Sequence, residues 1–265
     1  MAGRPSLEHI TKEYLRALTG DKPHEIEFEV RFGTIGKTIT RAAYMDVIRK
    51  IKSLGFTLLG ETYRLSIIPD GGLKRMEIYG QSAIQAYCQS NQLTSYRSVA
   101  KTPTAQRVDF PEFGFRAAIS REVAEDGDGD DLSDVKKKFR LLRRWRFGKP
   151  GYPFAFDVSI VKQSRGASST FLDSNLTSQP ERYEIEIEAI NQISIKNEPS
   201  SKDLITELRT CVTTILSGLQ GTVYPISLSE TGSVLEEYQV LVGQNRNKSV
   251  SSRDFVGPSS ISLQR

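Results

Sequence analysis

Glutamate recurs at every second position in two segments, Glu25-Ile26-Glu27-Phe28-Glu29-Val30-Arg31-Phe32 and Tyr183-Glu184-Ile185-Glu186-Ile187-Glu188. In a β-strand successive side chains point to opposite faces. Ile26, Phe28, Val30 and Phe32 therefore share one face, and Glu25, Glu27, Glu29 and Arg31 the other. The late segment sets Ile185 and Ile187 against Glu184, Glu186 and Glu188. Glutamate is a poor strand former, and like charges on one face repel. One such strand is accounted for by glutamates facing water. Two of them, with a basic cluster between, point to a bound hard cation such as Mg²⁺ or Mn²⁺. Neighbours on one face lie roughly 6.6 Å apart along a strand, so carboxylates from two facing strands can converge on one ion.

The basic counterpart is Phe139-Arg140-Leu141-Leu142-Arg143-Arg144-Trp145-Arg146-Phe147. Alternation puts Arg140, Arg144 and Arg146 on one face, and Arg143 on the other with Phe139 and Trp145. Guanidinium forks suit phosphate oxygens, and Trp145 reads as core rather than as a base-stacking platform. The same alternation groups Arg116, Ser120 and Glu122, and also Asp157 and Ser159, with Lys162 one step out of register. Asp126-Gly127-Asp128-Gly129-Asp130 begins like a calcium loop, but its sixth and twelfth positions are Asp131 and Lys137. It reads instead as an exposed hairpin loop.

These residues need elements to hold them. The 265 residues carry a net charge of only +4, yet acidic residues crowd 125–134 and basic ones 136–149. That asymmetry points to a phosphate-rich partner. Two cysteines and two histidines exclude a disulfide framework and a cysteine- or histidine-rich metal site. They suit a reducing compartment. No apolar run is long enough for a membrane span. No P-loop, GxGxxG or Lys-x-Asp-Gly signature occurs. Apolar spacing predicts helices from Leu7 to Leu18 with Ser6 as cap, over 41–54 after Thr40, around 83–90, over 202–219 and over 230–242. Strands are expected near 25–33, 62–68, 73–79, 96–101, 113–122, 137–147, 154–162 and 183–188, with a linker over 244–265. Strands polar on one face and apolar on the other require a shared charged interior with helices outside. An α+β fold satisfies this: a closed antiparallel β-barrel with a charged lumen and helices packed around it.

The ordered set of motifs resembles the triphosphate tunnel metalloenzymes. More narrowly, it is similar to the RNA 5′-triphosphatase domain of mRNA capping enzymes from nucleocytoplasmic large DNA viruses, relatives of the fungal RNA triphosphatases. The resemblance spans residues 20–190. It is carried by the two Glu strands, Lys74-Arg75-Met76-Glu77-Ile78-Tyr79-Gly80, Ile84-Gln85-Ala86-Tyr87-Cys88, Phe115 through Glu122, Arg140 through Phe147, and Asp157-Val158-Ser159-Ile160-Val161-Lys162.

The resemblance implies hydrolysis of the γ-phosphate of triphosphate-ended RNA, the first step of cap formation. It implies that Glu27, Glu29 and Glu188 ligate Mg²⁺ or Mn²⁺. Glu122, Glu184 and Glu186 become catalytic carboxylates. Arg31, Arg75, Lys101, Arg116, Arg140, Arg144 and Arg146 grip the triphosphate, supported by Glu77, Asp157, Ser159 and Lys162. One departure stands out: where the family's basic strand carries a lysine, this chain has Leu142, and Arg146 is its candidate replacement. The tail Arg253-Asp254-Phe255-Val256-Gly257-Pro258 resembles a join to a guanylyltransferase, with a methyltransferase a further linked partner. The tunnel domain would then span 1–243, and the protein would work in the host cytoplasm, in viral factories or in the virion. Two alternatives stay open: a tripolyphosphatase or NTPase of the same fold, and a non-catalytic module binding RNA 5′-phosphate ends.

Overall fold

The computed structural model describes residues 6–33, 35–36, 38–105, 107–128, 132 and 134–241. The chain divides into two compact units, Met1–Pro225 and Ile226–Arg265. The first begins with α1 (Leu7–Leu18), β1 (Ile26–Phe32) and α2 (Arg41–Ser53). It continues through β2 (Thr57–Pro69), β3 (Lys74–Tyr79), α3 (Gln81–Ser90), β4 (Tyr96–Pro103), β5 (Val108–Phe110) and β6 (Phe115–Gly127). It ends with β7 (Lys137–Gly148), β8 (Phe154–Gln163), β9 (Arg182–Ala189), α4 (Asn191–Asn197) and α5 (Ser201–Gln220). The second unit holds α6 (Leu228–Leu241), opened by a capping box: Glu230 N–H donates to Ser227 Oγ, and the Glu230 carboxylate accepts from Ser227 N–H. The tail motif 253–258 and the linker over 244–265 lie outside the described residues. Among the described residues no helix is long and apolar enough to cross a membrane.

All strand pairings in the sheet are antiparallel. The order runs β1-β9-β8-β7-β2-β3-β4-β6, and β6 pairs back onto β1, so eight strands form a closed ring. Short β5 adds to the first residues of β6. The alternation read in β1 and β9 sets the two faces. Phe28, Val30 and Phe32 of β1 join Ile185 and Ile187 of β9 beneath Ile10 and Tyr14 of α1, Val47 and Ile51 of α2, and Leu204, Leu208 and Ile215 of α5. Each such side chain contributes about 1.5–3 kcal/mol when fully buried. A second core joins Leu65 and Ile67 of β2, Ile78, Phe139 of β7 and Tyr87 of α3. The helix-covered face is the outside of the ring; the opposite face carries the charged residues.

Two close approaches depend on glycine. A Cβ on Gly218 of α5 would stand 2.9 Å from Val47 Cα, so glycine lets α2 and α5 touch backbone to backbone. A Cβ on Gly127 would stand 2.5 Å from the Tyr96 ring. Gly127 pairs with Tyr96, and β6 runs on through Glu125 and Asp126. The start of the Asp/Gly run is therefore strand rather than the expected hairpin loop, because the β4 ladder extends to its first residue; 129–131 lie outside the described residues.

Candidate active site

The ring register places Glu29 of β1 opposite Glu188 of β9, and Arg31 opposite Glu186. Cross-strand partners have Cβ atoms about 4.5–5.5 Å apart, so the two glutamate strands form one acidic wall. Asp157 and Ser159 of β8 pair with Glu186 and Glu184, and on their other side with Arg146 and Arg144 of β7. Ion pairs then bridge strands that are not neighbours. Arg144 of β7 reaches Glu186 of β9 across β8, while donating to Asp157 at 3.0 Å and Ser159 at 3.2 Å. Lys101 of β4 reaches Glu27, and Glu29 at 2.9 Å, across β6. Arg75 of β3 reaches Glu122 at 3.0 Å across β4, and Glu77 at 2.6 Å. Second-neighbour strands lie roughly 9.5 Å apart in a flat sheet, a gap that a long cationic side chain and a glutamate span together.

The charges inside are not evenly matched. Burial alone would raise Glu186, yet Arg144, Arg31 and Arg140 outweigh it and hold the carboxyl at about 2. Burial pushes Glu188 up to about 7, with Arg146 opposing the shift and Asp157 adding to it. Glu29 is likewise raised by burial and by the charges of Glu186 and Glu27. Arg140 is pushed down by burial in spite of its pairing with Glu184, with Arg64 and Arg31 adding repulsion. One patch holds three carboxylates, Glu27, Glu29 and Glu188, against two cations, Lys101 and Arg146. Another gathers Arg140, Arg64 and Arg31, whose guanidinium groups are paired with Glu184, Glu77 and Glu186. Three buried polar atoms on this inner face have no hydrogen-bond partner: Asp157 Oδ1, Arg64 Nε and Ser66 Oγ.

Among the described residues no three carboxylate, histidine or cysteine side chains stand converged as a cage for a metal. The backbone nevertheless brings Glu27, Glu29 and Glu188 to one patch, and the Lys101 ammonium sits between Glu27 and Glu29 as an internal cation. All-oxygen donors with surplus negative charge fit a hard divalent cation. Ser120 Oγ donates to Glu27 at 3.1 Å and orients it. The patch opens at the ring end where β1 starts, into a cleft of about 440 Å³ lined by Glu27, Glu122, Arg146 and Glu188.

Most of the expected site residues share this interior. Arg146 contacts Glu188 at 3.1 Å and Asp157 at 3.3 Å. Arg31 contacts Glu186 at 2.8 Å and Glu184 at 3.5 Å. Arg116 pairs with Arg31 in the ladder, but its guanidinium turns to Asp109 of β5. Lys162 does not join the site. It pairs with Leu141, lies on the outer face, and its ammonium donates to Thr177 O at 2.7 Å. The alternation of β8 runs unbroken through it, without the bulge that would turn it inward. Glu25 belongs to a 3-10 turn and pairs with Arg121 and Lys22 at the edge.

Sequence reading missed Arg64. It is the cross-strand partner of Leu142, so the position where a lysine is lacking has a guanidinium beside it. Arg64 also holds Glu77 at 3.1 Å.

No protein-family model matches this sequence, and no curated protein matches it significantly. Solved structures do. The RNA triphosphatase domain of a trifunctional mimivirus mRNA capping enzyme aligns with 81% of this chain and 99% of its own, at 19% identity and a TM-score of 0.55. Schizosaccharomyces pombe Pct1 RNA triphosphatase aligns with 83% of this chain and 94% of its own, at 12% identity and a TM-score of 0.53. The chain has the fold of these RNA triphosphatase domains. A triclinic form of the mimivirus triphosphatase gives the same likeness, with 77% of this chain and 94% of its own aligned at 20% identity and a TM-score of 0.53.

Proposed function

We propose that this protein is a metal-dependent RNA 5′-triphosphatase and that the strand ring is its triphosphate tunnel. The observation carrying the proposal is the arrangement of the inner face: Glu27, Glu29 and Glu188 grouped at one place, and Arg31, Arg140 and Arg144 grouped at another. A triphosphate with a divalent cation complements both patches. A monoanionic or purely cationic ligand complements only one.

Water attacks the γ-phosphorus in line, and the bond to the β-bridging oxygen breaks, leaving inorganic phosphate and diphosphate-ended RNA. Phosphoryl transfer has a loose transition state, so positioning and electrostatics carry most of the catalysis. Arg31, Arg140, Arg144 and Lys101 face the interior to offset charge on the non-bridging oxygens. Arg146 and Arg75 flank them, with Arg116 at the rim. Glu122, steered by Arg75 and open to the cleft, accepts the proton of the attacking water. Glu184 and Glu186 orient Arg140 and Arg144; Asp157 and Ser159 hold Arg144, and Glu77 holds Arg75. Glu27, Glu29 and Glu188 would hold Mg²⁺ or Mn²⁺, which supplies Lewis-acid polarisation of a phosphoryl oxygen. On the same reading the chain is the triphosphatase part of a viral capping enzyme and is linked to a guanylyltransferase.

The test is γ-phosphate release from triphosphate-ended RNA, NTP and tripolyphosphate in EDTA, Mg²⁺ and Mn²⁺. Release is expected with either metal and not in EDTA, and Glu27→Ala and Glu188→Ala are expected to abolish it while the fold persists. Near-normal release by both folded variants would overturn the site. A preference for tripolyphosphate over RNA would reassign the substrate.

A further inference from the structure

A second cavity, of about 360 Å³, opens at the same ring end. Tyr79, the last residue of β3, and Tyr96, the first of β4, line it with Tyr87 of α3, Gln92, Thr94 and Arg97. Tyr79 is the exposed ring, Tyr87 and Tyr96 are buried, and Glu77 and Asp126 add carboxylates beside Arg97; an exposed aromatic face and a guanidinium plane stack a base, and polar groups read its edge. Its volume falls in the range of small-molecule sites.

Two observations tie this cavity to the ring. Arg97 lines both it and the cleft that holds Glu27, Glu122 and Glu188. Tyr79 donates its hydroxyl to Glu77 at 2.5 Å, and Glu77 is the carboxylate gripped by Arg64 and Arg75. The cavity is therefore one side chain away from two inward-facing guanidinium groups. Tyr87 is 2% exposed and packs with Ile84 and Phe139 in the second core, so it forms a fixed wall of the cavity.

We propose that this cavity binds the nucleobase of the substrate's first nucleotide, the one that carries the triphosphate. The proposal rests on the triphosphatase function above. It makes the protein a reader of nucleotides rather than of polyphosphate alone.

The probe is 8-azido-ATP, photolysed by a brief flash in Mg²⁺, with the labelled residues mapped by mass spectrometry. Label is expected on Tyr79 or the 91–97 loop. Two substitutions at exposed positions fill the cavity, Ala83→Trp on α3 and Thr94→Trp on the loop, while Ala83→Ser leaves it open. Each tryptophan variant is expected to cut labelling about tenfold, as loss of one base–aromatic stack does. Each is also expected to lower kcat/KM for RNA and NTP relative to tripolyphosphate by the same factor. Label elsewhere, or label and kinetic ratios unmoved in both folded variants, overturns the base pocket. Correct labelling without phosphate release from any substrate would leave the pocket standing and refute the triphosphatase function. Release with label elsewhere would do the reverse.

Discussion

Arg144→Ala should cost about 3 kcal/mol of stability at pH 7. Arg144 donates to Asp157, Ser159 and Glu186, and Asp157 is fully inaccessible with its second oxygen already unpartnered. Removing one partner of a buried pair typically costs about 3–5 kcal/mol, because the other charge stays buried. Glu186 gives an independent figure. Its depression from 4.5 to about 2 corresponds to roughly 3 kcal/mol at about 1.4 kcal/mol per unit. That figure is shared among its cations, with Arg144 the strongest. Arg146 still reaches Asp157 and Arg31 still reaches Glu186 in the variant, which keeps the expected loss at the lower end.

A carboxyl depressed by folding stabilises fully above its unfolded value near 4.5, and that stability is lost as pH falls toward 2. The gap between wild type and variant should therefore narrow by about 1 kcal/mol at pH 3.5. Urea denaturation in EDTA, followed by the fluorescence of Trp145, the only tryptophan, measures both gaps. Arg144→Met combined with Glu186→Gln should recover at least half the loss, since no unpaired charge remains at Glu186. A gap under about 1 kcal/mol at pH 7, or one that is unchanged at pH 3.5, would refute the claim that Arg144 and Glu186 are buried mutual partners.

Arg64→Ala should lower kcat/KM on triphosphate-ended RNA about tenfold to a hundredfold, the value of a charge-assisted hydrogen bond, with Arg64→Lys recovering part. Wild-type kinetics would place Arg64 outside the phosphate contacts. Lys162→Ala should keep phosphate release within about twofold of wild type, since screened surface contacts contribute little; a large loss would contradict its outward placement. Gly218→Leu should lower the urea midpoint by the equivalent of about 2 kcal/mol, because α2 and α5 must separate. An unchanged midpoint would show that the helices do not meet at Val47.

Local periodicity made β1 and β9 legible, because carboxylate and apolar residues alternate without interruption and only a strand gives each kind its own face. The long helices were legible for the same reason, through the stripe from Leu204 to Leu219. Arg64 was not. In Thr62-Tyr63-Arg64-Leu65-Ser66 it is one cation among apolar and hydroxyl residues, and its importance comes from lying beside Leu142, which belongs to a strand far along the chain. The start of β2 was hidden because the ladder shifts register between Leu58 and Gly60, which breaks the two-residue period. β5 and α4 are too short to display any period. The pairing of Lys101 with Glu27 and Glu29 depends on β4 and β1 flanking β6, a property of the strand order rather than of any one strand.

Ring closure sets an order of events during synthesis. β1 finds its two neighbours only when β6 and then β9 have left the ribosome. At 5–20 residues per second, β1 waits on the order of ten seconds for β9. An apolar strand exposed for that long invites pairing with another chain. The Glu27-Phe28-Glu29-Val30-Arg31 pattern places a charge beside each apolar residue, as gatekeepers do in strands that cannot be protected at once. The charges that line the finished interior would thus also keep the nascent chain from aggregating before there is an interior to line.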